Sequence, residues 1–366
     1  MVEPAGFLTR EGLERLIEVL ARHHRVYGPQ VRDGAIVLAP LARDSRLPVG
    51  VALDAGPGRA ELRHTDSPRQ FDWVVGPQAV KPLLFAPIQP LWGWTRGEDG
   101  RLAFRPVTPE AESLAVIGVR ACDLAALRLT DAHFVEGPAI DPHYCAAREA
   151  LFLVAVNCAR PAATCFCAAT GDGPSANAGF DLLLDELDAG FLVTIGSDRG
   201  AELLADIDLS PVSEQQRKEA RLQRRQAVAA QTRRLPDAPL SGLARQRTSA
   251  HWERVAERCL ACGNCTAVCP TCFCHRQRAE SDLAGQGGKT DRVWDSCFSP
   301  GHSLLGGRPL RGDTAARYRQ WLTHKFCDWE TQYGRSGCVG CGRCIAWCPV
   351  GIDVTEELAS LLEQPS

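Results

Sequence analysis

The sequence contains no apolar run near the roughly 20 residues that a bilayer-spanning helix needs, so it predicts no membrane segment. It begins without a basic stretch followed by an apolar one, and therefore we expect no secretory signal. A net charge of −3 gives no support for a nucleic-acid partner. Together these absences predict a cytoplasmic protein whose partners include neither a membrane nor a nucleic acid.

Cysteine is absent from residues 1–121, although the chain of 366 residues has 17 cysteines in total. A secreted disulfide scaffold is usually short and carries a signal, and neither feature is present. So many thiols in a chain with cytoplasmic features favour metal binding. The composition, 45% hydrophobic and 23% charged, excludes disorder for most of the chain, and the length favours two compact domains.

The first part of the chain has the pattern of an α/β domain, which we assign to residues 1–210. Helical spacing over Gly12–His24, with Thr9 as a plausible N-cap, is followed by short strand-like runs and then by alternating strands and helices. The predicted strands are Ala35–Ala39, Val49–Leu53, Phe71–Val75, Leu114–Val119, Leu151–Val156 and Phe191–Ile195, and the later predicted helices are Asp123–Leu129, Phe180–Leu187 and Arg199–Ala205. This alternation predicts a layer with at least partly parallel strands.

The composition then changes, and residues 211–250 are interpreted as a basic helical linker. The segment Ser213–Arg254 holds ten Lys or Arg against four acidic residues. It is either a solvated connection between domains or a docking face for an acidic partner. Residues 251–366 are predicted to form an all-helical domain that carries two cysteine words, with helices at Ala250–Arg258, Asp313–Tyr333 and Val354–Leu362.

The two words share the spacing C-x2-C-x2-C-x3-C-P, and the second begins 79 residues after the first. This is the bacterial two-cluster ferredoxin pattern, in which the fourth Cys of each word ligates the other cluster. By that rule one [4Fe–4S] cluster takes Cys259, Cys262, Cys265 and Cys348, and the other takes Cys338, Cys341, Cys344 and Cys269. Zinc is the alternative, but it uses pairs of C-x2-C motifs rather than this triple spacing.

Six further cysteines could form a third metal site across the domain boundary: Cys158, Cys165, Cys167, Cys272, Cys274 and Cys297. Two C-F-C pairs supply four of them. The alternative is that they are buried thiols that pack as small hydrophobic groups. We interpret Cys122, Cys145 and Cys327 as core residues. No G-x-G-x-x-G follows a predicted strand, so we predict neither a flavin nor a nicotinamide on this chain.

These motifs resemble the β subunit of soluble cytosolic nickel–iron hydrogenases (sulfhydrogenases), and they are also similar to the 4Fe-4S dicluster subunit of anaerobic sulfite reductase. The resemblance rests on CLACGNCTAVCPTCFC, WDSC, RYRQWLTHKF and GCVGCGRCIAWCPVGID, and extends back through IGSDRG, NCARPAATCFC and GVRACDLAAL to KPLLFAP. It covers about Pro82 to Asp353. The resemblance implies that the eight cysteines of the two words are cluster ligands.

The resemblance also implies a non-catalytic electron-transfer subunit of an oxidoreductase complex. Two partners are implied with it: a reductase subunit that binds flavin and NAD(P), and a catalytic subunit of the hydrogenase or reductase type. Three alternatives remain at this point: a subunit of a sulfite reductase-like complex, a reductase with its own site in the α/β domain, and an iron–sulfur redox sensor.

Overall fold

The computed structural model describes residues 3–42, 45–74, 76–78 and 80–363. The strands in these residues are β1 Gly6–Leu8, β2 Arg25–Arg32, β3 Ala35–Pro40, β4 Val51–Gly56, β5 Arg59–His64, β6 Ile88–Arg96, β7 Leu102–Pro106, β8 Leu114–Val119, β9 Leu151–Val156, β10 Leu182–Leu187, β11 Gly190–Ile195, β12 His275–Ser281, β13 Gly287–Trp294, β14 Leu304–Leu305 and β15 Arg308–Pro309. The α-helices are α1 Arg10–Leu20, α2 Lys81–Leu84, α3 Ala121–Phe134, α4 Pro142–Glu149, α5 Asp198–Leu204, α6 Glu214–Ala229, α7 His251–Arg258, α8 Asn264–Ala267, α9 Thr314–Thr323, α10 Trp329–Tyr333, α11 Arg343–Ala346 and α12 Val354–Leu362.

A seven-stranded sheet in the order β1-β11-β10-β9-β8-β2-β3 forms the centre of the N-terminal body. The four strands from β10 to β2 in this order run parallel, and antiparallel strands flank them on both sides. Strands β8 and β9 are almost wholly buried, as expected for parallel strands covered on both faces. The predicted α/β layer with partly parallel strands is therefore confirmed.

The predicted helix at Phe180–Leu187 is wrong, because this segment forms the buried strand β10. Its Leu and Glu content favours a helix, but the surrounding structure neutralises its carboxylates within the sheet. Glu186 accepts hydrogen bonds from the backbone N–H groups of Gln70 and Phe71 at 2.7 and 2.9 Å. Asp185 accepts from Arg224 at 2.7 Å. Burial is then tolerated, and the strand completes the sheet.

The segment predicted as a strand at Phe71–Val75 is not a strand over residues 71–74, and Val75 lies outside the described residues. Side chains, rather than a neighbouring strand, satisfy its backbone. The Arg120 Nη2 donates to the carbonyls of Phe71 and Trp73 at 2.8 and 2.5 Å. Because these carbonyls are already paired, the segment has no need of a ladder partner.

Helix α6 lies in the segment interpreted as a linker and packs against the sheet. Ser213 caps it through a capping box, and Ala220, Gln223 and Ala227 are buried. The Gln223 amide donates to the carbonyl of Glu186 on β10 at 3.0 Å. One face of this basic helix thus contacts the N-terminal body, and its charged residues lie on the outer face.

The expectation of an all-helical C-terminal part is not confirmed. Strands β12 and β13 lie between the two cysteine words and join β6 and β7 in a four-stranded antiparallel sheet. The predicted helix at Asp313–Tyr333 is confirmed as three consecutive helical segments, the middle one a π-helix at His324–Asp328. The two halves of the chain therefore share a sheet. Among the described residues, no helix combines the length and the apolar character needed to cross a membrane.

Candidate iron–sulfur centres

The first word begins where α7 ends, with Cys259 as the C-cap. Two residues beside its second cysteine adopt left-handed backbone conformations: Ala261 has φ 49° and Gly263 has φ 77°. Glycine favours this region, whereas alanine there is uncommon and strained. These turns curl the chain so that the three thiols of the word face a common space.

The second word repeats this backbone position by position. Gly340 and Gly342, which flank Cys341, have φ 63° and 71°. In both words the backbone N–H two residues after the first cysteine donates to its sulfur at 3.4 Å, from Ala261 to Cys259 and from Gly340 to Cys338. The local fold is therefore duplicated along with the sequence.

The fourth cysteine of each word lies with the three thiols of the other word. A cavity is lined by the thiol-bearing residues Cys259, Cys262, Cys265 and Cys348. Burial raises the pKa of Cys338, and neighbouring Cys341 and Cys269 raise it further. The eight thiols thus form two sets, which we call set 1 (Cys259, Cys262, Cys265, Cys348) and set 2 (Cys338, Cys341, Cys344, Cys269).

The chemistry of these sets fits iron–sulfur clusters. Each offers four soft sulfur donors, and burial is the main cause that raises the pKa of Cys265 and Cys344 above the usual value. Across the part of the chain that the structure describes, no three His, Cys, Asp or Glu side chains converge closely enough to hold one metal ion. The thiols surround a space instead of meeting at a point, which is the arrangement that a multi-iron cube needs and a single zinc ion does not.

Two buried lysines lie beside set 2. Lys325 is 4% exposed, and its Nζ donates to the Thr271 hydroxyl at 2.8 Å. Lys81 donates to the carbonyls of Ala267 and Cys272 at 2.9 and 3.2 Å. Burial lowers the pKa of Lys81, whereas the thiols of Cys269, Cys272 and Cys338 outweigh burial and raise that of Lys325. Neither ammonium group has a carboxylate partner among the described residues, so both provide positive charge for an anionic group at set 2.

The structure separates the six cysteines predicted as a third site into two groups. Cys158, Cys165 and Cys167 are buried on the N-terminal side of Cys341. Cys272, Cys274 and Cys297 lie together on the other side, near Lys325. A hydrogen bond with Cys297 lowers the pKa of Cys274 to about 4, against the effect of burial.

Of the three cysteines interpreted as core residues, Cys122 is buried, and Cys145 and Cys327 are partly buried. Sequence reasoning missed the charged residues around the thiols. Arg343, in the second word, forms an ion pair with Asp123 of the GVRACDL motif at 2.7 Å, and both are buried. The signal was present in the sequence, because ionisable residues inside apolar runs are seldom buried without a partner.

Comparison with known proteins agrees with this geometry. The 4Fe-4S dicluster domain family matches residues 258–352, which include both words. The chain is 34% identical to sulfhydrogenase 2 subunit beta of Pyrococcus furiosus over 255 residues, which cover 68% of this chain and 74% of that protein. The chain belongs to the sulfhydrogenase β-subunit family. It is an iron–sulfur electron-transfer subunit with a 4Fe-4S dicluster domain. No solved structure matches the chain.

Proposed function

We propose that this β-subunit homologue relays single electrons through two [4Fe–4S] clusters, between a subunit that binds flavin and NAD(P) and a catalytic subunit of the hydrogenase type. Set 1 and set 2 would hold one cluster each. The observation that carries this proposal is the contact between the sets: Cys344 of set 2 lies near Cys265 of set 1 and also lines the set 1 cavity. Interleaved ligands keep the two redox sites adjacent.

The protein's own groups have defined roles in this proposal. The thiolates hold the iron, and N–H groups such as that of Ile352, which donates to the Cys348 sulfur at 3.4 Å, stabilise negative charge on the ligands. Bound clusters would supply one-electron chemistry, with potentials between roughly −700 and +450 mV depending on such surroundings. Lys81 and Lys325 favour the more negative, reduced form at set 2.

Set 1 lies at the surface, whereas set 2 is covered. Cys262 is exposed, and the apolar side chains of Leu260 and Val350 beside it are 64% and 39% exposed. At set 2 the C-F-C turn of the N-terminal body contacts the word directly, because the Phe166 N–H donates to the Gly340 carbonyl at 2.8 Å. The exposed rim at set 1 is therefore the side on which we place a redox partner. The cytoplasmic location predicted from the sequence stays a prediction.

A substrate site within the α/β body has little support. An open polar cavity is lined by residues that include Asp131, Arg148, Asp181 and Arg199. Both arginines already face carboxylates, with Arg148–Asp131 at 3.1 Å and Arg199–Asp181 at 3.4 Å. The cavity therefore has no unpaired cation for an anionic substrate.

The relay is tested by Cys262→Ser in the reconstituted complex. We expect loss of the set 1 cluster and a fall in electron flux from NAD(P)H to the catalytic subunit to background, because one step of the path is missing. The α/β body should keep its circular dichroism spectrum. The matched control is Cys327→Ser, since this thiol contacts only the Ser241 carbonyl, at 3.8 Å. Unchanged flux in Cys262→Ser would refute the relay.

The buried charge at set 2 gives a second test. We expect Lys325→Met to shift the midpoint potential of the set 2 cluster by roughly 50–100 mV to more negative values, because a positive charge near the thiolates is lost. The set 1 potential should move less. A redox titration followed by electron paramagnetic resonance (EPR) measures both. Lys218→Met, on the exposed face of α6, is the control and should leave both potentials unchanged.

A further inference from the structure

Four buried thiols outside the two words lie together in the N-terminal body. They are Cys122 (8% exposed), Cys158 (8%), Cys165 (6%) and Cys167 (5%). They come from three segments, the first turn of α3, the loop after β9 and the C-F-C turn. The group lies beside set 2, because Cys122, Cys165 and Cys167 each interact electrostatically with Cys341.

The spacing of this group resembles that of set 1 and set 2. Cys158 interacts with both Cys165 and Cys167, and Cys122 interacts with Cys167. No hydrogen bond joins these four thiols to one another in the described residues, as is also true within set 1. Cys274 and Cys297 differ, because their thiols are hydrogen-bonded to each other. The four thiols thus surround a space.

Arg120 provides an independent sign of an anionic occupant. Its guanidinium is 2% exposed, and its Nε and Nη1 atoms have no hydrogen-bond partner in the described residues. No carboxylate of those residues lies within ion-pair distance of it, since the nearby Asp123 is paired with Arg343. The Cys158 thiol is the close titratable neighbour of this guanidinium.

A buried cation with no counter-charge is costly, and orphaned buried N–H groups add to that cost. A protonated thiol is neutral and compensates neither. Four thiolates around iron and sulfide carry net negative charge and offer sulfur acceptors to the guanidinium. Packing of the thiols as small hydrophobic groups would leave Arg120 unexplained.

We propose that Cys122, Cys158, Cys165 and Cys167 hold a third iron–sulfur cluster, with Arg120 as its buried counter-charge. Gln231, which is 1% exposed, supports this site as the N–H groups support the words: its Nε2 donates to the Cys167 sulfur at 3.4 Å. The site uses half of the cysteines that the sequence grouped as a third site, together with Cys122. Cys272, Cys274 and Cys297 have no part in it.

Iron and acid-labile sulfide per chain, measured after anaerobic purification, test the site. At about four irons per cluster, we expect about twelve in the native chain and about eight in Cys122→Ser, in Cys158→Ser and in the double variant. Equal losses in all three show that thiols from separate segments serve one cluster. Cys145→Ser is the matched control in the same body, because its thiol contacts only the Phe134 carbonyl, at 3.7 Å.

A second readout separates ligation from misfolding. We expect Arg120→Gln to keep its iron while one of the three reduction steps shifts to a more negative potential, which a purely structural arginine would not cause. About eight irons in the native chain, or an undiminished count in Cys158→Ser, would overturn the third site. Those results leave the two-cluster relay intact, because that relay is judged by Cys262→Ser. A loss of four irons in Cys297→Ser but none in Cys158→Ser would also overturn it.

Discussion

The double variant Cys259→Ser/Cys348→Ser should lose about four irons per chain, no more than either single variant loses. The two residues belong to different words, yet the structure places both thiols around the set 1 cavity. If they ligate the same cluster, the second substitution removes a ligand from a site that is already empty. Iron analysis and the EPR signals of the reduced protein measure this outcome.

The matched control is Cys259→Ser/Cys269→Ser, which changes two cysteines of the same word. Because Cys269 lies with Cys338 and Cys341, this variant should lose both clusters, about eight irons. The reverse result would contradict the crossed arrangement: eight irons lost when the words are mixed, and four when one word carries both changes.

The ion pair between Arg343 and Asp123 gives the largest expected effect on stability. Arg343 Nη1 and Nη2 donate to the two carboxylate oxygens of Asp123 at 2.7 and 3.1 Å, and Nε donates to the Gly76 carbonyl at 3.0 Å. Both side chains are at most 3% exposed. We expect Arg343→Met to lower the free energy of unfolding by roughly 3–5 kcal/mol, because it leaves the Asp123 carboxylate buried without its partner.

Urea unfolding of the cluster-loaded protein measures this effect, with iron content followed in parallel. The double variant Arg343→Met/Asp123→Asn should recover part of the loss, since it removes the uncompensated charge. Arg15→Met is the surface control: the Arg15–Glu18 pair is more than half exposed, and its removal should change stability by at most about 1 kcal/mol. A buried pair that can be broken at no greater cost than this control would contradict the role assigned to Arg343.

Regular local patterns made much of the fold predictable. The Thr9 N-cap is confirmed by its 3.0 Å hydrogen bond from Gly12, and the buried runs at 114–119 and 151–156 are confirmed as parallel strands. The prediction fails where distant groups decide the outcome. LLLDEL is a strand because Arg10 and Arg224 neutralise its carboxylates, and neither arginine is near it in sequence.

The candidate site divides in the same way. Fixed spacing alone predicted the two thiol sets, because the repeat of three residues places the thiols on one side of a tight turn. The buried charges around the sets were not predictable, since Lys81, Lys325 and Arg120 reach them from remote segments. Likewise, the β12–β13 hairpin depends on pairing with β6, which lies about 190 residues earlier.

The most direct measurement of the central claim is the metal content of the anaerobically purified chain: iron, acid-labile sulfide and zinc. The account predicts at least about eight irons with an equal amount of sulfide and negligible zinc, because set 1 and set 2 each hold a [4Fe–4S] cluster. Stoichiometric zinc with little iron or sulfide would contradict it, and the chain would then have no electron path through these thiols.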